Sequence, residues 1–233
     1  MDAEIDAPEI SLLDGRVRIM DAFYGTDLLE DLYNVLCQIF LPPSTFYISN
    51  SLLKRESECV RQLADYIPRP LGMFVHLHLN NLRSRLSIEE DAPGGWEVWS
   101  RVSTSNSPSF GYLHVDNDEL MRSRFGRLIS PDYGSILYVG PRSEIYGGET
   151  AFIDPAAITA DQLFSKRQPE DFSAVPFIFV KPIVGRLAVF DGKLPHAVMW
   201  TKGRAAQPRI TLLANYWKNR ILSVPHGVCS VTK

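Results

Sequence analysis

The chain of 233 residues carries 24 Lys and Arg against 27 Asp and Glu, a formal net charge of −3, with 45% apolar and 22% charged residues. These are globular proportions, enough to hide about 70% or more of the unfolded surface, and they exclude long disorder, collagen-like repeats and a coiled coil. A near-neutral chain without a dense Lys/Arg stripe is not a dedicated nucleic-acid binder. No apolar run approaches the roughly 20 residues needed to cross a bilayer, so no membrane partner is expected. The three cysteines, Cys37, Cys59 and Cys229, form no close pair. Their odd number argues against a disulfide framework, and with no basic-then-apolar leader at the N-terminus a cytoplasmic location is expected.

Residues 1–10 read as a solvated acidic lead. From Asp21 to Phe40 apolar residues recur at helical spacing (Leu28, Leu29, Leu32, Leu36, Ile39, Phe40), with Thr26 and Asp27 as caps and Pro42-Pro43 as the stop. A second helix is predicted from about Ser51 to Tyr66, ended by Pro68 and Pro70. Gly72 to Leu86 suits a helix or a strand equally. Trp96 to Ser103 alternates as a strand does, Thr104 to Gly111 reads as a loop, and Tyr112 to Asp116 as a short extended piece. Further strands are predicted at Ser135–Val139, Thr150–Ile153, Phe177–Val180, Arg186–Phe190, Ala197–Trp200 and Ile210–Trp217, most set off by Gly, Pro, Asp or Ser. There is no internal repeat and no linker-like break, so residues 1–233 read as one domain. Helical support covers about 20–70 and a β core about 95–218. Helices first and many short strands after them predict a mainly β, α+β chain: an antiparallel sandwich or open barrel buttressed by helices.

Of the five histidines, His114 is the most informative. In Tyr112-Leu-His-Val-Asp116, His114 and Asp116 stand two apart, and an extended backbone points both to one face. Two ligands make a weak metal site; His196, after the Asp191-Gly192 turn and Pro195, is the candidate third. Two imidazoles and one carboxylate on one face of a metal are the facial triad of non-haem Fe(II) oxygenases, which leaves positions open for a cosubstrate and O2. Downstream, Arg209 heads an apolar strand, where an inward arginine needs a partner. Arg209 and Thr211 share a face, and a guanidinium fork with a hydroxyl suits a carboxylate.

The ordered set of His114/Asp116, Gly147-Gly148, His196 and Arg209/Thr211 resembles the Fe(II)/2-oxoglutarate-dependent dioxygenases, most closely their prolyl-4-hydroxylase-like branch. The resemblance covers about residues 95–218. Tyr112, Gly147-Gly-Glu-Thr-Ala-Phe152 and Gly185-Arg-Leu-Ala-Val-Phe190 add to it. It implies a double-stranded β-helix (a jelly-roll, cupin-like) with Fe(II) held by His114, Asp116 and His196. It also implies 2-oxoglutarate as cosubstrate, its C5 carboxylate paired with Arg209, with Thr211 and Tyr138 as hydroxyl donors. O2 would be consumed, succinate and CO2 released, and ascorbate is an auxiliary reductant in such systems. Many prolyl hydroxylases carry Lys where this chain has Arg209, so a collagen-type substrate is not implied. Related halogenases replace the carboxylate by a small residue; Asp116 is present, which favours hydroxylation.

The expected activity is therefore hydroxylation of an unactivated C–H, with a small-molecule substrate (amino acid or natural-product-like) ahead of a protein side chain such as prolyl. A silent jelly-roll binding module and a cupin metalloenzyme without a 2-oxo acid are the alternatives, and Arg209/Thr211 separates them from the first reading. The oligomeric state is not legible. His76 and His78, two apart with no carboxylate between them, read as structural or substrate-side residues, and His226 as a turn residue. Trp96 and Trp99 fall on opposite strand faces. Arg101 reads as an exposed strand arginine, with a place in the substrate pocket as its alternative, and Arg204 as a solvated loop residue. Asn106, Asn117 and Arg122 flank the predicted iron and are candidates for substrate recognition.

Overall fold

The computed structural model describes residues 8–38, 44–103, 112–141, 146–159, 176–199, 201–202, 207–219 and 230–232. Its elements, in chain order, are β1 (Glu9–Leu12), β2 (Val17–Met20), α1 (Thr26–Gln38), β3 (Ser44–Ser49), α2 (Asn50–Leu53), α3 (Glu56–Leu63), α4 (Arg69–Arg85), β4 (Gly95–Ser103) and α5 (Glu119–Phe125). There follow β5 (Tyr133–Gly140), β6 (Tyr146–Gly147), β7 (Thr150–Ile153), β8 (Phe177–Val180), β9 (Leu187–Asp191), β10 (His196–Val198), β11 (Thr201–Lys202), β12 (Arg209–Trp217) and β13 (Ser230–Thr232). A large sheet has the order β1-β2-β9-β5-β12-β4-β3-β13, a small one β10-β7-β8, and β11 pairs β6. The pairing is antiparallel in both main sheets. Non-consecutive strands alternate across the large sheet and fold over onto the small one, the double-stranded β-helix (jelly-roll) expected from the resemblance.

The period of two decides what each face of the large sheet does. On β12, Ile210, Leu212, Ala214 and Tyr216 face the helices, where they join Trp96 and Val98 of β4 and Leu137 and Val139 of β5. Leu29, Leu32 and Leu36 of α1 and Phe74, Val75, Leu79 and Leu82 of α4 close that core. The opposite face turns toward the small sheet: Ile136 and Tyr138 of β5 and Ala188 and Phe190 of β9 pack with Phe152 of β7 and Val180 of β8. Each fully buried Leu, Ile or Phe contributes about 1.5–3 kcal/mol. The interior-facing row of β12 departs from this: Arg209, Thr211 and Asn215 are polar and still buried.

Several expectations are corrected. The end of the expected lead, Glu9 and Ile10, is exposed but belongs to an edge strand, β1, paired with β2. The helix expected from Asp21 begins only at Thr26, and residues 39–43 lie outside the described residues. The helix expected over Ser51–Tyr66 is two, α2 and α3, the first capped by Ser49, whose hydroxyl accepts from Leu52 N at 3.2 Å. Pro68 and Pro70 end no helix alone; they open α4, where a missing N–H costs nothing. Gly72–Leu86 is thus helical, and His76 and His78 sit on a helix. Tyr112–Asp116 is not a strand: only His114 makes a bridge, to His196. The segment after it contains α5, capped by Asp118. Strand β3 is absent from the sequence prediction.

Candidate metal centre

His196 opens β10, delivered there by the Asp191–Leu194 turn, in which Leu194 N donates to Asp191 O at 2.9 Å. His114 approaches it from an irregular segment. The two backbones exchange both hydrogen bonds, His114 N to His196 O at 3.0 Å and His196 N to His114 O at 2.8 Å. This single bridge sets the ring centroids 4.5 Å apart. Asp116 then reaches both: its carboxylate oxygens lie 3.6 Å from His114 Nε2 and 3.8 Å from His196 Nε2. One ligand atom from each of the three lies within 4.8 Å of the others, a group that could hold a metal ion. Side-chain exposure falls from 43% at His114 through 19% at Asp116 to 8% at His196, so the group opens to solvent on the His114 side.

The tautomers follow from the backbone. His114 Nδ1 lies 2.6 Å from Tyr112 O, and His196 Nδ1 lies 3.0 Å from Leu194 O. A carbonyl only accepts, so each Nδ1 carries a proton and each Nε2 is the atom turned toward Asp116. Asn215 donates its amide to Asp116 Oδ2 at 3.0 Å and fixes the carboxylate. Sequence reasoning passed over Asn215. It lies on the same face of β12 as Arg209 and Thr211, an alternation that would have pointed to it.

Burial disfavours charge on Asp116, but the His114 hydrogen bond and the fields of both imidazoles hold its carboxyl well below the usual range. At His114 burial opposes the proton, and the adjacent Asp116 outweighs it and raises the pKa. Burial and the neighbouring His114 charge push His196 down to about 4. At neutral pH the group therefore presents an anionic carboxylate and a neutral His196 imidazole, the protonation states a divalent cation requires.

Arg209 is 3% exposed, its guanidinium carbon 5.4 Å from the centre of the Tyr138 ring. Burial lowers its pKa, the interaction with Tyr138 opposes this, and the charge on Arg101 adds to the lowering. Its buried Nε has no hydrogen-bond partner among the described residues. Thr211 is buried and stands in register between Tyr138 of β5 and Arg101 of β4. The Tyr138 hydroxyl meets Thr150 Oγ1 at 2.7 Å, joining the two sheets.

A cavity of about 460 Å³ contains the three candidate ligands and is walled by Trp99, Arg101, Leu213 and Asn215 among others. Arg209, Thr211 and Tyr138 do not line it; Arg209 and Thr211 lie beyond Leu213 toward the start of β12, with Tyr138 of β5 paired to Thr211. Arg101 does line it, so its exposed reading is replaced by the pocket one. Trp99 faces the cavity and Trp96 the helix-side core, on opposite faces as expected. Asn117 lines the cavity, while Arg122 is paired with Glu119 at 2.7 Å on the surface. His78 is buried in the helical layer, its Nδ1 3.0 Å from Tyr24 O–H, and His76 Nε2 lies 2.9 Å from Leu53 O; neither is in the cavity. Asn106, Arg204, His226 and Cys229 lie outside the described residues.

Iron-bound HygX from Streptomyces hygroscopicus superposes with a TM-score of 0.50 at 14% identity, over 87% of this chain and 82% of that one. The fold is that of iron-bound HygX. HygX with nickel and 2-oxoglutarate bound aligns at 0.47 and 13% identity over 87% and 82% of the two chains. A Pseudomonas putida prolyl-4-hydroxylase aligns at 0.48 and 17% identity over 88% and 89%. This is the architecture that the resemblance to Fe(II)/2-oxoglutarate dioxygenases implies. No family model matches the sequence, and no curated protein matches it either.

Proposed function

We propose that the chain is an Fe(II)/2-oxoglutarate-dependent dioxygenase, acting as one catalytic unit, that hydroxylates an unactivated C–H of a small molecule. The observation that carries this reading is the convergence of His114, Asp116 and His196 with both Nδ1 protons already spent on carbonyls, which leaves two Nε2 lone pairs and a carboxylate for one cation. The residues present fit the groups implied. The donor set is two imidazoles and one carboxylate, and the buried Arg209 Nε is a donor awaiting an acceptor.

Fe(II) held by His114, Asp116 and His196 supplies O2 activation coupled to oxidative decarboxylation of 2-oxoglutarate to succinate and CO2. The chain's own residues orient and shield. Asn215 holds Asp116 in place, and Phe190, with its ring 5.0 Å from that of His196, covers one side of the ligand set. Arg209 pairs with the C5 carboxylate and Thr211 adds a hydroxyl. If Thr150 donates to Tyr138, the phenol keeps its own proton for the same carboxylate. The cavity volume lies in the small-molecule range of about 300–1,000 Å³.

The test is anaerobic addition of Fe(II) and 2-oxoglutarate, which should produce a weak visible charge-transfer band. Its absence with metal shown to be bound overturns the cosubstrate assignment. His114→Ala should abolish succinate formation, and Arg209→Ala should raise the KM for 2-oxoglutarate at least about tenfold. Unchanged values would refute the ligand set and the anchor respectively.

A further inference from the structure

Arg209 opens β12, and the strand is held there unequally on its two sides. Toward β4, Arg209 pairs with Ser103. Toward β5 the pairing starts only at Ile210, opposite Gly140, and a bulge follows at once, between Ile210 and Thr211. Strand β5 ends at Gly140, and the next residue, Pro141, has no N–H with which to extend the ladder. Arg209 and Thr211 thus sit where the β5 side of the sheet is least regular.

Tyr33 of α1 takes up the free end. Its hydroxyl donates to the Pro208 carbonyl at 2.9 Å, a partner 175 residues away in the chain. Its ring lies over Gly140, where any side chain would collide with it, so the close approach of α1 requires glycine there. Burial and the Cys37 thiol, one turn further along α1, raise the Tyr33 pKa, so the phenol keeps its proton and remains a donor. The Pro208 carbonyl belongs to the same planar unit as the Arg209 N–H. Holding that carbonyl therefore fixes one end of the backbone from which Arg209 projects. A buried guanidinium has little room to search for its partner, so where the backbone places it decides how well it meets a carboxylate.

We propose that Tyr33 is a positioning residue for the cosubstrate: through the Pro208 carbonyl it holds Arg209 in the orientation that takes the C5 carboxylate of 2-oxoglutarate. The inference rests on the oxygenase reading, in which Arg209 is the anchor. Tyr33 is not among the candidate metal ligands and does not line their cavity. Its effect therefore falls on cosubstrate affinity and leaves metal binding alone. The helical layer, which supplies none of the three candidate ligands, becomes a determinant of that affinity.

The experiment uses the full chain as wild type, Tyr33→Phe and Ser49→Ala. Tyr33→Phe keeps the ring over Gly140 and removes only the donor. Ser49→Ala removes the cap of α2 and controls for a similar loss of stability elsewhere. 2-Oxoglutarate is titrated anaerobically against the visible band of the Fe(II) protein, and Co(II) binding is measured by calorimetry. Amide exchange over Arg209–Leu212 is followed in the metal-free protein. Tyr33→Phe should raise the 2-oxoglutarate Kd about three- to tenfold, the effect of one hydrogen bond, with Co(II) affinity within about twofold of wild type. Exchange should quicken at the start of β12 in Tyr33→Phe and not in Ser49→Ala. An unchanged 2-oxoglutarate Kd in Tyr33→Phe, or an equal rise in Ser49→Ala, would overturn the proposal. So would a loss of Co(II) affinity as large as the loss for 2-oxoglutarate, which would make Tyr33 a general support of the fold. Absence of the visible band in wild type, with metal bound, is instead the failure of the oxygenase reading, and the exchange data then still report whether Tyr33 holds the start of β12.

Discussion

His114 and His196 each spend one nitrogen on a backbone carbonyl and keep the other for Asp116. The three side chains are thereby held in one orientation, which would lower the cost of binding a cation. Asn215 does the same for the carboxylate, by one hydrogen bond from the neighbouring face of β12. Asn215→Leu keeps the size and removes the donor. Divalent-metal affinity, measured by calorimetric titration with Co(II), should fall about ten- to a hundredfold; an unchanged affinity would show that the amide does not orient Asp116.

At the scale of elements, β12 carries the most information. Its even positions complete the core beneath α1 and α4, and its odd positions form the polar row of Arg209, Thr211 and Asn215 interrupted by Leu213. A one-residue slip would exchange the two faces, placing a guanidinium in the helix-side core, so register and site are specified together. The short helix α5 follows the segment of His114 and Asp116 directly. Asp118, its buried N-cap, accepts from Leu120 N at 3.1 Å and Met121 N at 3.2 Å, and Gly126 closes the other end at φ 63°. Asp118→Ala should cost about 1 kcal/mol, a melting-temperature loss of about 2–4 °C for a chain of this size. Faster amide exchange confined to α5 would locate the effect there.

Across the whole molecule two cores share one large sheet, the helix-side core supporting it and the inter-sheet core packing Phe152 and Phe190 against His196. No helix among the described residues is long and apolar enough to cross a membrane. The helix-side core includes an ionisable group, His78, which burial pushes down to about 3. The unfolded chain binds a proton there near pH 6.5 and the folded chain does not. Folded stability is therefore greatest above pH 6.5 and is lost as the pH falls toward 3, with a slope approaching about 1.4 kcal/mol per pH unit from this group. Urea denaturation between pH 7.5 and 4 should show a shallower acid loss for His78→Leu than for wild type; equal slopes would mean that His78 is protonated in the folded state.

Much of the β core was legible because the period of two is local. Thr150–Ile153 and Phe177–Val180 coincide with β7 and β8, and Trp96–Ser103 and Ile210–Trp217 differ from β4 and β12 by one residue at the N-terminal end. The short strands β1 and β3 were missed since short strands draw their stability from partners, which a local pattern does not contain. The α4 segment was ambiguous because its apolar residues fit both periods until Pro68 and Pro70 are read as a helix start. By itself the sequence determined the chemical inventory: a spaced His and Asp, a later His behind a turn, and an arginine on an apolar strand. Only the tertiary structure decided which groups meet. The bridge between His114 and His196 is a single pair of hydrogen bonds between distant segments, Asn215 reaches Asp116 from another strand, and Arg101 rather than Arg209 lines the cavity. Each of these depends on strand order and register, which arise from packing over the whole fold rather than from any window of the chain.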